Sequence, residues 1–127
     1  MHAVILTTDL MLVSAAQGAA DRHGVVLVAA ASPEQALRAC GDVDARLVVI
    51  DLRAAGLDVV EFVPQVRSAK PQAVVAACGP HVHQQSLAAA AAAGCDEVFT
   101  RGQFDSRIDA LLAGLTARAA EDSTADR

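Results

Sequence analysis

At 127 residues the chain has room for one domain with a real core. Hydrophobic residues make up 54%, much of it alanine, and charged residues 20%. A net charge of −5 excludes a general electrostatic footprint for nucleic acid, and three Phe without Tyr or Trp leave little for stacking bases.

Residues 3–6, Ala-Val-Ile-Leu, form a first short apolar run and a predicted strand, with Thr7, Thr8 and Asp9 at its exit. Thr8 or Asp9 can cap a helix whose apolar positions Leu10, Val13, Ala16 and Ala20 keep helical spacing, closed by Gly24. Residues 25–30 read as a second strand. Ser32-Pro33-Glu34 opens the next helix, serine as cap and proline at its first position, and Cys40-Gly41 closes it.

Residues 46–51, Arg-Leu-Val-Val-Ile-Asp, are the third strand and organise the chain. An unbroken aliphatic run suits a strand buried on both faces in a parallel sheet. Asp51 then stands at its carboxyl end, where open α/β sheets place their ligand chemistry. A plain loop-capping aspartate fits the same position. The following helix carries Val59, Phe62, Val63 and Val66, with Pro64 expected to kink or delay it. Residues 73–78 form a fourth strand, residues 84–93 a helix ended by Gly94, and residues 96–100 a short fifth strand. Phe104, Ile108, Leu111, Leu112 and Leu115 mark a last amphipathic helix. The domain is expected to span 1–119, followed by a polar, disordered tail over 120–127. Strand–helix alternation implies α/β architecture: a doubly wound, five-stranded parallel sheet in the flavodoxin-like order 2-1-3-4-5.

This layout resembles the receiver domains of two-component response regulators over about residues 3–116. The third strand ends in Asp51-Leu52, and Leu57-Asp58 falls where the family has a hydrophobic residue followed by Asp, Asn or Ser. Residues 93–98, Ala-Gly-Cys-Asp-Glu-Val, are similar to the family segment leading into the fifth strand, and Thr100-Arg101 matches its Thr-Lys. The resemblance makes Asp51 the equivalent of the phosphoacceptor. It also implies a divalent cation, because an aspartate attacking phosphate needs its like charge offset. The two acidic positions that hold the cation in the family are Thr7 and Thr8 here, and only Asp9 beside them is acidic. Cys78 and Gly79 stand where a phosphoryl-binding Ser or Thr is usual, Arg101 replaces the lysine, and Gly102 the proline.

These departures predict a degenerate, stand-alone pseudo-receiver: a signalling and protein-interaction module, not an enzyme, with no cofactor and with magnesium binding weak or lost. Its pocket is expected to gather Thr7, Thr8, Asp9, Arg53, Cys78, Gly79 and Arg101 around Asp51, with that carboxylate paired by Arg53 or Arg101 or solvated there. The alternatives are a small-molecule-binding flavodoxin-like domain, or a receiver still phosphorylated at Asp51. His81-x-His83 near Cys78 and Cys95 has the residue types of a zinc site but no familiar spacing. An odd number of cysteines without C-x-x-C spacing favours reduced thiols. With no leader and no run long enough to span a bilayer, the expected location is cytoplasmic and no membrane partner is expected. By resemblance, the fourth and fifth strands with the last helix form a possible homodimer face. Its seam would be Ile108, Leu111 and Leu112, flanked by Arg107, Asp109 and Arg118, as far as that stripe is not spent on the protein's own core. The equal alternative is that the whole stripe packs on the sheet and the chain is a monomer.

Overall fold

The computed structural model describes residues 1–125. Strands β1 (His2–Leu6), β2 (Val26–Ala30), β3 (Ala45–Asp51), β4 (Val74–Gly79) and β5 (Glu97–Thr100) alternate with helices α1 (Leu10–His23), α2 (Pro33–Asp42), α3 (Val59–Ala69), α4 (Gln84–Ala92) and α5 (Phe104–Ala125). The strands form one sheet in the order β2-β1-β3-β4-β5, every pair parallel. This is the predicted doubly wound topology.

The three inner strands are apolar and almost wholly buried, as a sheet covered on both faces requires. Alternate residues feed two separate cores. Ala3, Ile5, Leu47 and Val49 pack against α1 and α5 with Leu12, Ala16, Phe104 and Ile108. Val4, Leu6, Val48 and Ile50 pack on the other side with Cys40, Phe62, Val63, Val66 and Ala90. The helices stop where glycine permits a left-handed residue: Gly24 takes φ 68° after α1, and Gly94 takes φ 103° just beyond α4.

Two expectations change and a third is narrowed. Pro64 does not delay α3, which starts at Val59 and continues across it; Pro64 lies on the exposed side, where water can satisfy the carbonyl it leaves without a donor. The helix α5 runs six residues beyond 119, so the expected tail is helical over 120–125, while 126 and 127 lie outside the described residues. No Gly or Pro interrupts residues 115–125, and Ala and Glu favour the helix. Finally, of the two readings of the α5 stripe, packing on the protein's own core takes Ile108 and Leu112 and leaves Leu111 half-buried. Ile108 and Leu112 are 2% and 1% exposed within the α1–α5 core. Arg107 pairs with Glu97, and Asp109 pairs with Arg22 and His23. Among the described residues no helix is long and apolar enough to cross a membrane.

Candidate functional site

The parallel register places the carboxyl ends of β1, β3 and β4 side by side: Leu6 opposes Ile50, and Asp51 opposes Cys78. Thr7, the residue after β1, therefore stands beside Asp51. Both are buried, at 3% and 7% exposure, the only polar or charged residues so classed among those described. A buried carboxylate must be hydrogen-bonded to be tolerated, and both oxygens of Asp51 are. The Thr7 hydroxyl donates to Oδ2 at 2.6 Å, and the backbone N–H of Arg53 donates to Oδ1 at 2.9 Å. Thr7 Oγ1 in turn accepts the N–H of Asp9 at 3.0 Å.

Asp9, rather than Thr8, caps α1: its Oδ1 accepts the N–H groups of Met11 and Leu12. Its other oxygen accepts Arg101 Nη1 at 2.8 Å, tying the start of α1 to the turn after β5. The expected pairing of Asp51 with an arginine side chain is thus replaced. Arg101 pairs with Asp9, and Arg53 reaches Asp51 through its backbone. Asp9 extends from the helix cap above the strand ends and meets Arg101 there, while Thr7 alone lies deep enough to reach Asp51. Thr8 is exposed.

The Arg101 hydrogen bond holds the Asp9 carboxyl below its ordinary value, helped by the cap N–H groups and opposed by burial. A depressed folded value means the pair stabilises the protein above the unfolded pKa, and that contribution is lost as pH falls through the folded one. In an NMR titration Arg101→Ala should move the Asp9 midpoint upward. An unchanged midpoint would show that the cap N–H groups alone set it.

Asp51, Arg53, Cys78, Gly79 and Arg101 line one small cavity of about 20 Å³. Leu12 and Pro80 complete the lining; neither carries a chemical signal in sequence, and only the helix and loop geometry brings them there. Burial pushes the Cys78 thiol up to about 11, with Asp51 adding to the shift and Arg101 opposing it. The thiol stays protonated at neutral pH and is a poor nucleophile. At Gly79 a Cβ would meet Leu52 at 3.3 Å and Leu87 at 3.5 Å, so leucine side chains take the space a larger residue would use.

The donors do not fit a magnesium ion. Hard cations select several charged oxygens, but beside Asp51 stand the hydroxyls of Thr7 and Thr8, and Asp9 is committed to a guanidinium. No group of three His, Cys, Asp or Glu suited to a metal occurs among the described residues, His81 and His83 included, and both histidines are exposed.

No family model matches the chain, and no curated protein matches it. Solved structures do. The CheY-like response regulator receiver domain protein from Methanospirillum hungatei JF-1 is similar with a TM-score of 0.78 at 11% identity, covering 95% of this chain and 97% of that one. HP1043, an orphan response regulator of H. pylori, gives 0.72 at 17% identity over 93% and 95%. NtrX from Brucella abortus gives 0.76 at 18% identity, and although 97% of this chain is matched it spans only 28% of that protein. The order of strands, their register and these likenesses agree: the chain has the fold of CheY-like response-regulator receiver domains.

Proposed function

We propose that this protein is a pseudo-receiver, a signalling and protein-interaction module that works without phosphorylation of Asp51. The observation that carries this reading is that the hydrogen bonds on Asp51 come from neutral donors: one oxygen takes the Thr7 hydroxyl and the other the Arg53 N–H. In-line attack on a phosphoryl group requires positive charge to offset the approach of two anions. Here the donors at the carboxylate are uncharged, and the nearby guanidinium of Arg101 is neutralised by Asp9. Thr7, Asp9, Arg53, Cys78, Gly79 and Arg101 are the residues of this site, and their role is to hold one arrangement of the strand ends rather than to switch it.

Incubation with a small phosphodonor and millimolar magnesium, followed by intact-mass measurement, should leave the wild type unmodified. A phosphoryl increment abolished by Asp51→Asn would overturn the reading. The small-molecule alternative is disfavoured by size, since ligand pockets run to about 300–1,000 Å³ and this cavity is about 20 Å³.

Protein partners are left with surfaces rather than a pocket. On the β4–β5 side, the exposed alanines of α4 and the half-buried Leu111 remain available once Ile108 and Leu112 are committed to the core. This side offers small apolar side chains as a contact surface, with Ile108 and Leu112 withdrawn from it.

A further inference from the structure

The edge of the sheet away from β5 is unusual. The outermost strand β2 reads Val-Leu-Val-Ala-Ala, and no charge occurs anywhere over residues 24–33. Proteins usually blunt such edges with charges, prolines or bulges, because an open row of peptide groups recruits another strand. The opposite edge is blunted: β5 has four residues and carries Glu97, which pairs with Arg107. On β2, Val26 is 55% exposed and is one of the few large hydrophobic side chains left in solvent. Ala29 is also exposed, and Leu27 and Val28 are half-buried.

The backbone parity makes the edge self-complementary. Val26 N–H donates to the Met1 carbonyl, and the Ala30 carbonyl accepts from Thr7 N–H. With the parallel register between, Val26, Val28 and Ala30 turn their peptide groups to β1. Leu27 and Ala29 therefore turn theirs outward, where no strand lies.

We propose that β2 is a homodimerisation edge, pairing antiparallel with β2 of a second copy so that the two sheets become one. With Val28 on the dyad, Leu27 of one copy and Ala29 of the other exchange both bonds of a hydrogen-bonded pair, on either side of the axis. Val26 is then covered opposite Ala30 of the other copy. Symmetry selects this direction. Both copies turn the same residues, Leu27 and Ala29, outward, and only antiparallel pairing about a dyad lets those residues face each other and exchange bonds; a parallel pair would need a one-residue offset that breaks the two-fold.

The inference does not depend on the state of Asp51, so this test and the phosphodonor test fail separately. Sedimentation of the wild type at micromolar concentration should give a dimer. Ala29→Pro removes an outward N–H and spares the ladder to β1, so dimerisation should weaken roughly tenfold or more while the circular dichroism is retained. Val26→Lys supplies a second disruption, should the proline variant fold poorly. Val28→Cys should form a disulfide dimer on mild oxidation, because residues facing each other at a non-hydrogen-bonded pair lie about 4.5 Å apart at Cα. A monomeric wild type, or a dimer that survives both Ala29→Pro and Val26→Lys, overturns the proposal. A dimer broken instead by Arg107→Glu also overturns it, by placing the contact on the β5 side.

Discussion

A Thr7→Asp, Thr8→Asp double variant should be strongly destabilised in EDTA and should recover stability when millimolar magnesium is added. Thr7 is 3% exposed and its hydroxyl lies 2.6 Å from Asp51 Oδ2. A carboxylate at position 7 removes that donor and sets a second anion against a buried first one. Leaving a buried charge uncompensated costs about 3–5 kcal/mol. The same change creates the charged-oxygen set that the wild-type site lacks, so a divalent cation gains affinity for the folded state alone. At one hundred times its dissociation constant such a cation returns about 2.7 kcal/mol. Urea denaturation in EDTA and in magnesium measures both halves. If the variant shows no loss in EDTA, Thr7 is not an essential donor to Asp51. If magnesium restores nothing, the missing carboxylates are not what keeps the cation out, and the Asp9–Arg101 pair becomes the next obstacle to remove.

The placement of the site was legible because it follows from strand order. A run of aliphatics ending in Asp51 identifies a central strand, and alternation of strands with helices then brings the ends of β1, β3, β4 and β5 together. What joins what at those ends was not legible. Arg101 and Asp51 have opposite charges and neighbouring places, so pairing them is the natural reading of the residue types. The structure pairs Arg101 with Asp9 because a helix cap projects outward while the end of an inner strand is covered. A threonine next to a buried aspartate carries no charge signal, yet its short side chain reaches Oδ2. The two readings of the α5 stripe could not be separated in sequence for a related reason. Helical periodicity reports that Phe104, Ile108 and Leu112 face something apolar, and in the folded chain that is α1 and the sheet rather than a second molecule. In β2 an uncharged apolar run by itself fits a buried strand, and its place at the edge follows from the strand order 2-1-3-4-5, which the structure bears out.

Phe62→Ala should give the largest loss of stability among single core substitutions. Phe62 is 2% exposed and packs from α3 into the core on the α2–α4 side of the sheet. That layer is the richer of the two in alanine: Ala30, Ala36, Ala45, Ala54, Ala73, Ala77 and Ala90 all belong to it. Alanine allows the helices to approach the sheet closely, but it has no rotamers with which to refill a void. Truncating a buried phenylalanine costs about 3–5 kcal/mol, more where the surroundings collapse less, and this layer favours the upper part of that range. The melting temperature should fall by roughly 10–20 °C for a domain of this size. Phe62→Leu, which keeps most of the volume, should cost much less. The α1–α5 side supplies the comparison: Phe104 is equally buried at 2%, but its neighbours include Leu12, Ile108 and Leu112, which can move into the space. Phe104→Ala should therefore cost less than Phe62→Ala in parallel urea titrations. If the order is reversed, the alanine-rich layer is the more deformable of the two. The strand ends beside Asp51 would then rest on a softer support than a permanently held arrangement of Thr7, Asp9 and Arg101 requires.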